Sequence, residues 1–169
     1  DCLYRNRKIK DKKHILGSLL KREKLGSTGL GDGVAIPHAR IAELKEAVIF
    51  VGLSKRGISF SSVDGKPVYL VVLFLTPLNE GELHLKILSK VATLLNNKVF
   101  TGQLIQCLNN DELYQALKSA GIEKEGFQDL SGIAERILNQ VKIGKVPLSD
   151  KTPPEEIYAT LMENGIGDM

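Results

Sequence analysis

The sequence has no tryptophan, four tyrosines, five phenylalanines, two cysteines and three histidines in 169 residues. Cys2 and Cys107 are too few for a disulfide framework and suit a reducing compartment. No run of 18 apolar residues occurs, so no transmembrane helix is expected. The first residues are charged, with no apolar stretch behind them, so no signal peptide is expected either. A cytoplasmic location is the resulting expectation. Because the first residue is Asp1 rather than Met, the chain is read as a fragment or trimmed form.

What is present is ordinary for a globular protein: 43% hydrophobic and 25% charged residues. The net charge of +3 is unevenly spread. Residues 1–120 hold 18 Lys and Arg against 11 Asp and Glu; residues 121–169 hold 5 against 9. Arg5, Arg7, Lys8, Lys10, Lys12 and Lys13 form a basic lead-in. It is a possible contact for nucleic acid or an acidic partner. Without an interleaved aromatic platform or zinc-ligand spacing, a solvated lead-in is the preferred reading and nucleic acid is not an expected partner.

Apolar periodicity predicts a helix over 12–24, with Asp11 as N-cap, Ile15, Leu16, Leu19 and Leu20 in one stripe, and Gly26 ending it. A loop with four glycines, Gly26 to Gly33, leads to a short buried strand, Val34–Ile36, closed by Pro37. Strands are predicted over 47–53 and 58–63, the latter ending in an Asp64-Gly65 turn. Val68–Leu75 is a continuous apolar run, the mark of a central strand buried on both faces. Helices are predicted over 81–96, 100–108 and 111–119, the last capped by Asn110. This alternation predicts an α/β fold: a mixed β-sheet sandwiched between helices, with a small helical C-terminal appendage. The domain spans 1–120. Beyond it, 121–169 reads as a polar linker (121–128), an amphipathic helix (130–141) and a helix opening at Thr152-Pro153-Pro154-Glu155.

The histidines carry the chemical interest. His14 lies in the first helix beside basic residues and reads as a surface side chain. His38 follows a short strand, a proline and the glycine-rich loop. Glycines let backbone N–H groups approach an anion, and an imidazole titrating near neutrality offers a nucleophilic nitrogen. A hydrogen-bonded structural histidine is the competing reading. The loop is no nucleotide signature, because it lacks Gly-Lys-Ser/Thr and Val34 stands where a third fingerprint glycine belongs. His84 sits at the start of a helix after the long strand, beyond a strand's carboxyl end like His38, so the two are expected to face one crevice. Arg22 ends the first helix, either as an anion clamp or as a plain surface charge.

The run Arg22-Glu23-Lys24-Leu25-Gly26-Ser27-Thr28-Gly29-Leu30-Gly31-Asp32-Gly33-Val34-Ala35-Ile36-Pro37-His38 resembles the signature of fructose/mannitol-type IIA domains of the bacterial phosphotransferase system, closest to their nitrogen-regulatory branch. Asp64-Gly65-Lys66-Pro67-Val68, Pro77, His84-Leu85 and Asp111-Glu112-Leu113-Tyr114 extend the resemblance over residues 11–119. It implies that His38 accepts a phosphoryl group from an HPr-type phosphocarrier. It implies that His84 is the second active-site histidine and Arg22 the phosphoryl-holding arginine. Ser27, Thr28, Gly29, Gly31 and Gly33 are the expected phosphoryl-binding loop. No metal or other cofactor is implied. The phosphoryl group would then pass to a IIB domain in sugar uptake, or its presence would control a regulated protein. A non-catalytic interaction module is the alternative. The sequence departs from the family at Ala39, where glycine is usual, and at Asp32, where asparagine is common. The elements that precede the first helix in the family are incomplete here.

Overall fold

The computed structural model describes residues 12–107, 110–117 and Tyr158. Asp11, most of the basic lead-in, and the linker and helices expected over 121–169 lie outside the described residues, Tyr158 excepted.

Helix α1 (Lys12–Lys24) is followed by β1 (Gly29–Gly31), β2 (Val34–Ala35), β3 (His38–Ile41), β4 (Val48–Ile58), β5 (Val68–Pro77), α2 (Gly81–Leu95), α3 (Lys98–Gln106) and α4 (Asn110–Leu117). The expected central strand is β5. It pairs antiparallel with β4 along one edge. Along the other it pairs in parallel, first with β2 at Leu70 and Val71 and then with β3 from Phe74 to Pro77. The sheet is therefore mixed, as expected.

Alternation along β5 divides the core in two. Val71, Leu73 and Leu75 face α1 residues Ile15 and Leu19, with Phe60 and Tyr158 in the same cluster. Leu70, Val72 and Phe74 face Ile87 and Leu95 of α2, Phe100 and Leu104 of α3, and Leu113 and Leu117 of α4. Burial on both faces explains why the Val68–Leu75 run carries almost no polar residue. Helices thus cover both faces, which is the sandwich read from the alternation of patterns. Among the described residues, no helix is long and apolar enough to cross a membrane.

Four expectations are corrected. The strand predicted over 47–53 runs on to Ile58 as one 11-residue strand, β4 (Val48–Ile58), whose register with β5 is interrupted between Leu53 and Ile58; of the strand predicted over 58–63 only Ile58 belongs to it. The polar stretch Ser54-Lys55-Arg56-Gly57 looks like a break, but Gly57 at φ +76° lets the strand irregularity pass beside Pro67. Residues 59–62 are not a strand. Second, the glycine-rich segment is not wholly loop. Gly29–Gly31 pairs antiparallel with Val34–Ala35, joined through Asp32 and Gly33, both at positive φ. Asp-Gly is the dipeptide such a tight hairpin favours. Helix α3 begins earlier than predicted, because the Asn97 side chain accepts the Phe100 N–H and caps it. Asn110 is the first residue of α4 rather than its cap.

Candidate functional site

Pro37 ends the pairing of β2, and its carbonyl accepts the Phe74 N–H, which carries the chain straight into β3. His38 is thereby fixed at the head of β3, 7% exposed, opposite Phe74 of the central strand. Its ring stacks on the Phe74 ring, with centroids 5.2 Å apart and planes 13° from parallel. Helix α2 starts four residues after β5 ends and brings His84 to the same Phe74 ring, with centroids 5.2 Å apart. The His38 and His84 rings lie 5.3 Å apart. Arg22, in the last turn of α1, reaches across to His38.

Both nitrogens of the His38 ring have assigned partners. Nδ1 lies 2.8 Å from the Ile36 carbonyl, which can only accept, so Nδ1 carries the proton and donates. Arg22 Nε, always a donor, sits 3.0 Å from Nε2, which must therefore present its lone pair. The two contacts agree on one neutral tautomer. Burial is the main reason the His38 pKa lies below its ordinary value, opposed by the Ile36 carbonyl and reinforced by the Arg22 charge. Arg22 is itself steadied by donating to the Gly26 carbonyl at 3.0 Å.

His84 Nδ1 is 2.7 Å from the Thr76 hydroxyl. Its pKa is lowered to about 4, first by burial and then by His38, Arg40 and Arg22. Both rings are therefore neutral at physiological pH, while the arginines supply positive charge. One consequence concerns stability. As pH falls through 6.5, the unfolded chain protonates at His84, but the folded chain resists until about pH 4. Stability is thus expected to decline across that window and to be insensitive to His84 above it. The ring is part-exposed, so screening holds the effect to ~1 kcal/mol. Thermal melting of His84→Gln should show a flatter decline between pH 6.5 and 4 than the unsubstituted chain; parallel curves would refute this.

These groups line a pocket of about 650 Å³, together with Ser18, Lys21, Leu25, Ala39, Arg40, Leu78, Gly81 and Leu85. The three residues singled out as chemical, His38, His84 and Arg22, are thus brought together. His14 is not: it is half-exposed and faces Glu43 at 3.9 Å. Ser27, Thr28, Gly29, Gly31 and Gly33 do not line the pocket either. The Thr28 N–H donates to Glu23 at 2.9 Å and the Gly29 N–H to the Ser27 hydroxyl at 3.0 Å, while Gly29 lies so close to Ser62 that a Cβ would meet its Cα at 2.8 Å. The N–H groups of Thr28 and Gly29 are therefore engaged by Glu23 and Ser27 and are not turned toward the pocket. Asp32, the departure with an added carboxylate, pairs with Lys98 at 3.3 Å and adds no negative charge to the pocket lining. Ala39, the other departure, lines the pocket and fits with 7% exposure.

Arg40 escaped the sequence reading. In a strand, residues i and i+2 share a face, so a basic residue two beyond His38 was the available signal. Glu23 escaped as well. Its partners, Thr28 and Tyr158, become visible only in three dimensions.

Comparison with known proteins agrees with the geometry. Residues 1–120 match the family model described as "Phosphoenolpyruvate-dependent sugar phosphotransferase system, EIIA 2". The "Nitrogen regulatory protein" of Klebsiella oxytoca is 37% identical over 113 residues, 66% of this chain and 69% of that protein. The "PTS system fructose-specific EIIABC component" of Bacillus subtilis is 35% identical over 106 residues, 63% of this chain but only 17% of that larger protein. The crystal structure of nitrogen regulatory protein IIA-Ntr from Neisseria meningitidis superposes with a TM-score of 0.61 at 35% identity, covering 72% of this chain and 79% of that one. The chain belongs to the EIIA type 2 family of phosphotransferase-system components. Members of this family are phosphotransferases, found both as nitrogen-regulatory proteins and as parts of sugar-specific systems.

Proposed function

We propose that this chain is a phosphohistidine carrier in which His38 Nε2 accepts a phosphoryl group from the phosphohistidine of an HPr-type protein. The observation that carries this reading is the tautomer: Nδ1–H is tied to the Ile36 carbonyl, and the Nε2 lone pair is directed at Arg22 in an open, positively charged pocket. A neutral imidazole with its lone pair already aimed outward needs no separate base. In the transfer, the Nε2 lone pair forms the new N–P bond while the donor's N–P bond breaks, its electron pair returning to the donor imidazole. Nδ1 keeps its proton, and the Ile36 carbonyl stabilises the positive character that the ring acquires. Arg22, beside Nε2 before transfer, is beside the phosphoryl oxygens after it, where its planar fork matches their geometry. His84 and Arg40 meet the remaining oxygens from the α2 and β3 sides. Positive charge comes from side chains, so no metal is invoked.

The phosphoryl group then serves regulation or passes to a IIB-type acceptor; the relatives include nitrogen-regulatory and fructose-specific proteins. A cytoplasmic setting follows from an HPr-type donor. The test is incubation of the full chain with phosphorylated HPr. Acid-labile phosphate on His38 is the expected product. Partner binding with no phosphate transferred would replace this reading with that of a non-catalytic interaction module. Passage of the label to a IIB domain would place the chain in sugar uptake, and retention of label with phosphate-dependent binding to another protein would place it in regulation.

A further inference from the structure

One buried polar side chain comes from outside the family-matched residues 1–120 and has no place in the transfer described above. Tyr158 is helical, 0% exposed, and packed edge-on against Phe60, with ring centroids 6.0 Å apart. Its hydroxyl donates to Glu23 Oε2 at 3.2 Å, across 135 residues of sequence. Burial and the neighbouring Glu23 carboxylate hold the phenol protonated, so it remains a donor at every physiological pH.

The contact continues to the centre of the site. Glu23 also accepts the N–H of Thr28, at 2.9 Å, and its hydroxyl. The Thr28 carbonyl accepts the Ile36 N–H at 2.9 Å. The Ile36 carbonyl accepts Nδ1–H of His38 at 2.8 Å. One unbroken path therefore runs from Tyr158 through Glu23, Thr28 and Ile36 to His38, entering the ring at the nitrogen opposite the proposed nucleophile. Glu23 is also the neighbour of Arg22, which holds the other nitrogen. Of the two partners of the His38 ring, Arg22 is thus the chain neighbour of the residue that Tyr158 holds, and Ile36 reaches that residue through Thr28.

We propose that Tyr158 is a positioning residue for phosphoryl transfer, a part of the site supplied by the C-terminal extension. It acts through Glu23 to keep the Thr28–Ile36 segment, and with it the His38 tautomer, in the transfer-competent arrangement. Glu23 is half-buried, and its carboxylate is held in place by its donors. With the phenol hydroxyl removed, Glu23 loses one of three and is free to shift toward Arg22, whose guanidinium would then leave Nε2. Buried hydrogen-bond chains of this kind respond to loss of one member as a unit.

The proposal rests on the carrier reading, and the test separates the two. In the full chain, Tyr158→Phe keeps the ring packed on Phe60 and removes only the hydroxyl. Phosphoryl uptake from phosphorylated HPr is expected to slow about fivefold, the size of one ordinary hydrogen bond lost at a distance from the reacting nitrogen. The His38 Nδ1 proton resonance of the unphosphorylated chain is expected to move. Thr28→Val, which removes the hydroxyl half of the next link and keeps its N–H bond to Glu23, should move the same resonance. In a Glu23→Ala background, Tyr158→Phe should have no further effect on uptake. Uptake within twofold of the unsubstituted chain together with an unmoved His38 resonance would overturn the proposal. So would an undiminished effect of Tyr158→Phe in the Glu23→Ala background. Should the unsubstituted chain take up no phosphate, the carrier reading fails, and the resonance alone still decides whether Tyr158 positions His38.

Discussion

Replacing His38 by alanine is expected to reduce phosphoryl uptake from phosphorylated HPr to below about a thousandth of the unsubstituted rate, because it removes the ring nitrogen whose lone pair faces Arg22. His84 is the rival imidazole among the described pocket residues, and its Nδ1 is held by Thr76. His84→Ala should therefore slow uptake without abolishing it. The His38 ring is buried against Phe74, so the alanine variant also leaves a small cavity. His38→Gln retains more of the volume and should be equally inactive with a smaller loss of stability. Uptake by both variants, measured beside their melting curves, separates loss of the nucleophile from loss of the fold. Substantial labelling of either folded variant would move the acceptor elsewhere.

The second large effect belongs to Arg22. Its Nε contacts the lone pair of His38 before transfer, and its charge faces the phosphoryl oxygens afterwards. Arg22→Ala removes both contributions and is expected to slow uptake about 100-fold, in the range seen when one preorganised donor is removed from a developing anion. Arg22→Lys restores the charge but not the fork, so it should recover only part of the rate. Removing the positive charge should also let the His38 pKa rise, since Arg22 helps lower it. A variant with the pKa raised and uptake unchanged would show that Arg22 tunes the ring without serving transfer.

Much of this arrangement was legible in the sequence, for definite reasons. Val68–Leu75 announced a two-faced central strand because both of its faces are buried by helices. His38 and His84 could be grouped because both lie just beyond strands, while Arg22, which by itself read equally as a surface charge, joined them through the resemblance. Element ends gather at one edge of an α/β sheet. Other features were hidden. The continuity of β4 depends on Gly57 at positive φ, and a glycine after Ser-Lys-Arg reads locally as a turn. The glycine-rich segment suggested N–H groups turned toward a ligand; in the fold those of Thr28 and Gly29 bond to Glu23 and Ser27. Their direction is set by Glu23 and by the close passage of Ser62, both distant in local pattern. Tyr158 was beyond reach altogether, because its partner stands 135 residues earlier.

The central claim is that the nucleophile is one particular nitrogen of one ring. Nitrogen-15 NMR of the full chain, labelled in histidine and phosphorylated by HPr, reads which nitrogen bears the phosphorus through its one-bond coupling. The geometry predicts phosphate on Nε2 of His38, with Nδ1 still protonated and bonded to the Ile36 carbonyl. Phosphate on Nδ1 of His38, or on His84, would contradict it.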